Sequence, residues 1–209
     1  MESVTTPSHI ADIESLEKLY GTPAQASVRK EVDYLHPHYQ RFIEAAPFAL
    51  LASSGPGGLD VTPRGDPAGF VKVQDAHTLL LPDRRGNKRI DSLRNIISDP
   101  RVALIFLVPG VDETLRVNGR ARILASAGLL AQFAVDGKLP LSVLEIRVEA
   151  VFFQCARAVL RAQLWNPALH VERSALPSVG TILADLSAND IDGQQYDREL
   201  PGRLKSTLY

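Results

Sequence analysis

The stretch PDRRGNKR, Pro82 to Arg89, sets Arg84, Arg85, Lys88 and Arg89 within six residues of a 209-residue chain whose formal net charge is only -1. The cations are therefore a local feature. An apolar run, HTLLLP, ends at Pro82, and Ile90, Leu93 and Ile97 then recur at helical spacing, which predicts a helix starting near Lys88. A helix N-terminus presents unpaired N–H groups and the positive end of its dipole, an arrangement that suits an anion such as phosphate. Arg84, Lys88 and Arg89 add charge-assisted donors, Asn87 adds an amide, and Gly86 lets the backbone come close. Cations at a helix N-terminus are disfavoured by about 0.3–1 kcal/mol each, so four of them there ask for an anion. Asp83 and Asp91 offer partial relief, and a solvated basic loop paired with those acids is the alternative. Neither G-x-x-x-x-G-K-[ST] nor G-x-G-x-x-G is present, so the phosphate needs another scaffold.

Other chemistry-bearing residues point less far. His36 and His38 flank Pro37 with no third ligand nearby, which fits two histidines at a helix start. Cys155 is the single cysteine, which excludes an internal disulfide and any multi-cysteine metal site. Its place near the end of an apolar strand reads as a buried, inert thiol rather than a redox nucleophile. Asp112 and Glu113 are adjacent, so on a strand they point to opposite faces. No nucleophile–base constellation stands out, and a cofactor would have to supply any difficult chemistry.

The elements that must position the loop follow from pattern. Asp12 is an N-cap for IESLEKLY and Gly21 its stop; AQASVRKEVDYL has near-helical period, and Pro37 opens a fresh helix, PHYQRFIEAA. FALLASS and LDVTPRG, joined by the turn signal GPGG, read as a hairpin, and GFVKVQD with HTLLLP as a second pair. RVALIFLV has the continuous apolar character of a buried strand. ETLRVNGRARIL carries a glycine at its middle that marks a bulge, and LSVLEIRVEAVFFQC alternates through Leu144, Ile146 and Val148. A short helix, SAGLLAQFA, connects these last two strands. Six or seven strands with only short helices between them predict a mainly β (α+β) fold, an antiparallel barrel rather than a doubly wound sheet. The expected organisation is N-terminal helices over 1–46 packed on a barrel core over 47–165, then a C-terminal extension over 166–209. The end of that extension is polar and weakly patterned, and reads as a mobile tail or an arm on a partner subunit.

Three ordered segments, FALLASSGPGGLDVTPRGDPAGFV, LLLPDRRGNKRIDSLRNIISDPRVALIFLVPGVDETLRVNGRARI and VEAVFFQCARAVLRAQLW, resemble the pyridoxamine 5'-phosphate oxidase-like FMN-binding proteins over residues 10 to 170. The resemblance is to a bacterial subgroup of unassigned substrate. It implies a split antiparallel β-barrel, a homodimer, and FMN in a groove at the subunit interface. It places Asn87, Lys88 and Arg89 where the family holds the FMN phosphate, with Pro82 and Arg84 in the same strand end and loop. Thr62, Pro63 and Arg64 match the strand beside the flavin ring and ribityl chain. Thr114 stands where the family carries a glutamine that reaches FMN, and Arg116 lies on the same face two residues on. Trp165 is a candidate cover for the ring, with ordinary packing as its alternative. The segment RLKSTLY replaces the substrate-recognising arginine, histidine and RLAP-like terminus of true pyridoxamine phosphate oxidases, so that activity is not implied.

Composition, with 45% hydrophobic and 22% charged residues, is that of an ordinary globular protein. Near-neutral charge and the lack of a second basic stripe argue against nucleic acid as the loop's target. No apolar run approaches a membrane span, and no secretory signal opens the chain, so a cytoplasmic location is the default. Two functions follow: an FMN-dependent oxidoreductase, or a non-catalytic flavin or haem-type carrier or sensor of the same fold.

Overall fold

The computed structural model describes residues 9–209. These divide into a unit ending at Glu31 and a second from Val32 to Tyr209. The first holds α1 (Ile13–Tyr20) and α2 (Gln25–Arg29). The Asp12 carboxylate accepts from the Ser15 amide at 2.7 Å and starts α1, and Gly21, at φ 72°, stops it. The long period through AQASVRKEVDYL yields only the five residues of α2.

The second unit begins with α3 (Pro37–Ala45), which Pro37 opens and which buries Ile43. Its strands are β1 (Phe48–Gly55), β2 (Gly58–Gly65), β3 (Lys72–Asp75), β4 (Thr78–Asp83), β5 (Arg101–Leu107), β6 (Thr114–Leu124) and β7 (Ser142–Gln154). Helix α4 (Asp91–Ser98) joins β4 to β5, α5 (Ala127–Ala131) joins β6 to β7, and α6 (Arg157–Ala162), α7 (Val179–Leu186) and α8 (Gly193–Ser206) follow. The strands make one seven-stranded sheet in the order β2-β1-β5-β6-β7-β4-β3. Every pairing is antiparallel and the sheet does not close on itself, which is the split barrel expected from the sequence.

Alternation on β5, β6 and β7 sends Leu104, Phe106, Leu115, Val117, Leu144 and Ile146 into one core, with Ile43 of α3 and Ile96 of α4 packed into it. The expected bulge is present: the β6–β7 register shifts between Asn118 and Gly119. A Cβ on Gly119 would sit 2.2 Å from the Arg147 carbonyl oxygen, so glycine is required there. Strand β4 is buried on both faces. Leu79 and Leu81 face the main core, and Leu80 packs with Phe133 and Val143 in a second cluster. Fully burying such a side chain is worth about 1.5–3 kcal/mol. The end of β4, from which the cationic loop departs, is thus a fixed point.

Three further expectations change. Cys155, just past the end of β7, is exposed rather than buried. Helix α4 begins at Asp91 rather than near Lys88, and it turns Ser92 and Ile96 inward while Ile97 is 78% exposed. The polar end of the chain is not featureless: α7 and α8 form a helical hairpin. The Ser178 hydroxyl caps α7, Asp192 caps α8, and the Asp197 carboxylate accepts from the Gly180 amide at 2.8 Å and from the Ser178 hydroxyl. No helix among the described residues is long and apolar enough to cross a membrane.

Candidate functional site

A groove of about 1090 Å³ opens where the ends of β2 and β4, the loop before α4 and the first turn of α4 meet. Thr62, Pro63, Arg64, Pro82, Arg84, Asn87, Lys88 and Arg89 all line it. The structure does not bring Thr114, Arg116 and Trp165 to this groove within one chain. The Thr114 hydroxyl donates to Gln154 Oε1 at 3.2 Å, and Arg116 Nε donates to Asn118 Oδ1 at 3.1 Å with its guanidinium over Phe152. Trp165 Nε1 donates to the Val111 carbonyl at 2.9 Å.

The four cations of the loop have different fates. Arg84 is committed inward: its Nε lies 2.7 Å from Asp66 Oδ2 and its Nη1 donates to the Phe133 carbonyl at 2.6 Å. The Asp66 side chain is only 2% exposed, so this pair is structural before it is anything else. Arg89 Nε pairs with Asp91 at 2.7 Å, but both side chains stand in solvent, where such a pair contributes little. Arg85 and Lys88 are exposed and have no ion pair among the described residues. The bland alternative, a basic loop paired with its neighbouring acids, therefore accounts for Arg89 and leaves Arg85 and Lys88 free.

The loop backbone is strained. Lys88 has φ 65° and Ile90 φ 53°, both left-handed, and a β-branched residue there is unusual. Each such residue costs about 1–3 kcal/mol and persists only where surrounding structure imposes it. Here the Asn87 side-chain Oδ1 accepts from the Arg89 amide at 3.0 Å and pins the turn. Asn87 thus serves the loop's own geometry.

Arg64 is the most enclosed cation of the groove. Nη1 donates to Thr62 Oγ1 at 2.9 Å and the Pro63 carbonyl at 3.0 Å; Nη2 donates to Ser92 Oγ at 2.9 Å and lies 3.5 Å from Asp83 Oδ1. Its Nε is buried and has no hydrogen-bond partner among the described residues. Burial pushes the Arg64 guanidinium below its ordinary value, against the pull of Asp83. Burial likewise raises the Asp83 carboxyl, against the pull of Arg64. Both shifts have one origin: two charges taken from water and set a little too far apart to compensate fully. The groove thus offers free cations and a half-buried, loosely matched Arg64–Asp83 couple.

Sequence reasoning missed Asp66, Ser92, Lys138, Leu141 and Tyr209, all in or beside this groove. Asp66 directly follows the quoted VTPRG, and its charge beside a basic loop was the available signal. Tyr209 lies far along the chain, and nothing local marks it. No group of three or more metal-ligating side chains occurs among the described residues.

Comparison with known proteins gives the class. The model of the pyridoxamine 5'-phosphate oxidase family matches residues 35–155, more than half of the chain, and the chain belongs to that family. Among solved structures, HupZ of Group A Streptococcus is similar at 18% identity, with 56% of this chain and 92% of that one covered and a TM-score of 0.45. A protein from Lactobacillus delbrueckii described as a candidate pyridoxamine 5'-phosphate oxidase matches at 21% identity over 58% and 95% of the two chains, with a TM-score of 0.44. An FMN-binding protein from Syntrophomonas wolfei matches at 12% identity over 68% and 97%, with a TM-score of 0.42. No curated protein matches the chain.

Proposed function

We propose that the groove binds FMN and that the chain is an FMN-dependent oxidoreductase, cytoplasmic and homodimeric, acting on a small molecule whose identity neither sequence nor fold specifies. One observation carries the reading. A strained loop holding two unpaired cations, Arg85 and Lys88, adjoins a guanidinium whose buried Nε is unsatisfied, all in one groove. A phosphate monoester with a polyhydroxyl chain fits that donor set. The free cations and Arg89 would take the phosphate oxygens, and Arg64, in the groove wall, would present its positive charge to the chain or ring. Membership of the pyridoxamine 5'-phosphate oxidase family supports this. When bound, FMN supplies an electron sink that accepts a hydride at its ring. The protein's part is to orient it and set its surroundings. Arg64 would carry a positive charge toward the ring position expected from the sequence, with Asp83 paired to it at 3.5 Å.

The homodimer belongs to the same proposal. Thr114, Arg116 and Trp165 stand apart from the groove of their own chain, and a second copy gives them a flavin to touch. Leu59 and Val61, 87% and 62% exposed on the edge strand β2, are apolar surface that a second copy would cover. The test is flavin loading followed by reduction. Purified protein incubated with FMN should acquire flavin absorbance, and a nicotinamide donor should bleach it. A protein that takes up no flavin refutes the reading. Flavin that binds but never turns over with any donor or acceptor moves the chain to the carrier class.

A further inference from the structure

Residues 206–209 reach the same groove from far along the chain: Ser206, Leu208 and Tyr209 are part of its lining. Their seat is specific. The Tyr209 hydroxyl donates to Asp66 Oδ1 at 2.6 Å, while the other Asp66 oxygen takes Arg84 Nε at 2.7 Å. The Tyr209 ring lies 5.4 Å from the Arg84 guanidinium carbon, within cation–π range. Arg84 is held in turn by the Phe133 carbonyl at 2.6 Å. One phenol therefore closes onto an ion pair whose carboxylate is almost wholly buried. The segment leaves α8, which the Asp197 contacts brace against α7, so it is tethered at one end and latched at the other. With the segment in place the groove still measures about 1090 Å³. Ligand sites commonly span about 300–1,000 Å³, so the segment walls the space and does not fill it.

We infer that residues 206–209 are a latched cover of the ligand groove, with Tyr209 as the latch and the Asp66–Arg84 pair as its catch, and that this cover sets how long a ligand stays. The nature of that ligand rests on the flavin reading above; the latch does not. A bound molecule leaves past the cover only when the Tyr209 hydroxyl releases Asp66. A hydrogen bond to a charged group is among the stronger ones, so its loss should be felt as about a tenfold change in opening.

Hydrogen exchange of the unliganded protein, followed by mass spectrometry, reads the latch directly. The peptide covering 203–209 should exchange about tenfold faster in Tyr209→Ala than in the wild type, with Tyr209→Phe between them. The thermal midpoint should barely move. FMN release, followed by recovery of flavin fluorescence on displacement, should accelerate about tenfold in Tyr209→Ala, with a smaller change in the association rate. Asp66→Asn, which keeps the shape of the catch, should reproduce the faster exchange. Unchanged exchange in Tyr209→Ala overturns the latch, and faster exchange with unchanged or slower FMN release overturns its role as a cover. A wild type that binds no FMN refutes the flavin reading instead, and exchange alone then decides the latch.

Discussion

Replacing Lys88 and Arg89 together with alanine should separate FMN from riboflavin, which differ only in the phosphate. The two cations enter with different starting points. Lys88 has no ion pair to give up, whereas Arg89 must exchange its 2.7 Å contact with Asp91 for the phosphate. A charge-assisted hydrogen bond contributes about 1.5–3 kcal/mol, and a solvent-exposed ion pair about 0–1 kcal/mol. The Lys88 contact is thus worth about 1.5–3 kcal/mol, and Arg89 adds less because it must first leave Asp91. The Lys88 share alone is roughly one to two decades in FMN affinity at tenfold per 1.4 kcal/mol, and the double replacement should exceed it. Riboflavin affinity should change by less than about threefold, because the loop meets only the phosphate. The same arithmetic makes an opposite prediction for Asp91→Asn. Freeing Arg89 should tighten FMN by a few fold, while the loss of a first-turn acid costs α4 about 0.3–1 kcal/mol. Fluorescence titration of both flavins at low salt measures all of this, and the FMN advantage should shrink as salt rises. An equal loss of FMN and riboflavin would refute the phosphate assignment and make the loop structural. A weaker FMN complex in Asp91→Asn would refute the competition between Asp91 and the ligand.

Two further outcomes follow from the fold. The Asp83 carboxyl titrates above its unfolded value of 3.8 because of burial, so protonation favours the folded state. Its contribution to stability is fully present below 3.8 and is lost as pH rises through the higher folded value. The stability difference between wild type and Asp83→Asn, from denaturant titration, should slope only in that window and be flat above it. A flat difference at every pH would contradict the raised carboxyl. At the bulge, Gly119→Ala should destabilise by about 3 kcal/mol or more, because backbone rather than a flexible side chain meets the new Cβ at 2.2 Å. Gly57→Ala, with open space around it, should stay within about 0.5 kcal/mol, and thermal unfolding of the pair checks the contrast.

How much was legible in the sequence depended on the range over which each feature is decided. The β1–β2 hairpin, the Asp12 cap, the Pro37 start and the Gly119 bulge are set within a few residues, and each reads directly. Helix α4 shows where local reading slips. Ile90, Leu93 and Ile97 fit a helical stripe, yet so do Leu93 and Ile96, and the core takes the second phase because Ser92 is drawn inward to Arg64. The left-handed Lys88 and Ile90 then delay the helix start, and strain of that kind has no periodic signature. The hairpin of α7 and α8 was hidden by its polarity. Its Ser178 and Asp192 caps were visible, but the close approach of Gly180 to Gly193 that seats the two helices was not. For the site, the loop could be found by charge alone. Which of its four cations is free could not, because Asp66 takes Arg84 from beyond the end of β2 and Asp91 takes Arg89 from within α4.

Those long-range pairs also explain why the groove lies where it does. Arg64 on β2 pairs with Asp83 on β4, and Asp66, just past β2, pairs with Arg84, just past β4. Each strand end contributes one cation and one anion, so the two couples are reciprocal. Four strands separate β2 from β4 in the sheet, so no backbone ladder joins them. The sheet can satisfy both couples only by curling until its flanks meet. What a closed barrel would achieve with hydrogen bonds between strands, this open one achieves at one seam with side chains. A ladder leaves no space for a ligand, whereas a seam made of side chains leaves a groove lined by the charges that close it. The Arg64–Asp83 couple is the looser of the two, at 3.5 Å, and the Asp66–Arg84 couple, at 2.7 Å, is the tighter hold on the seam.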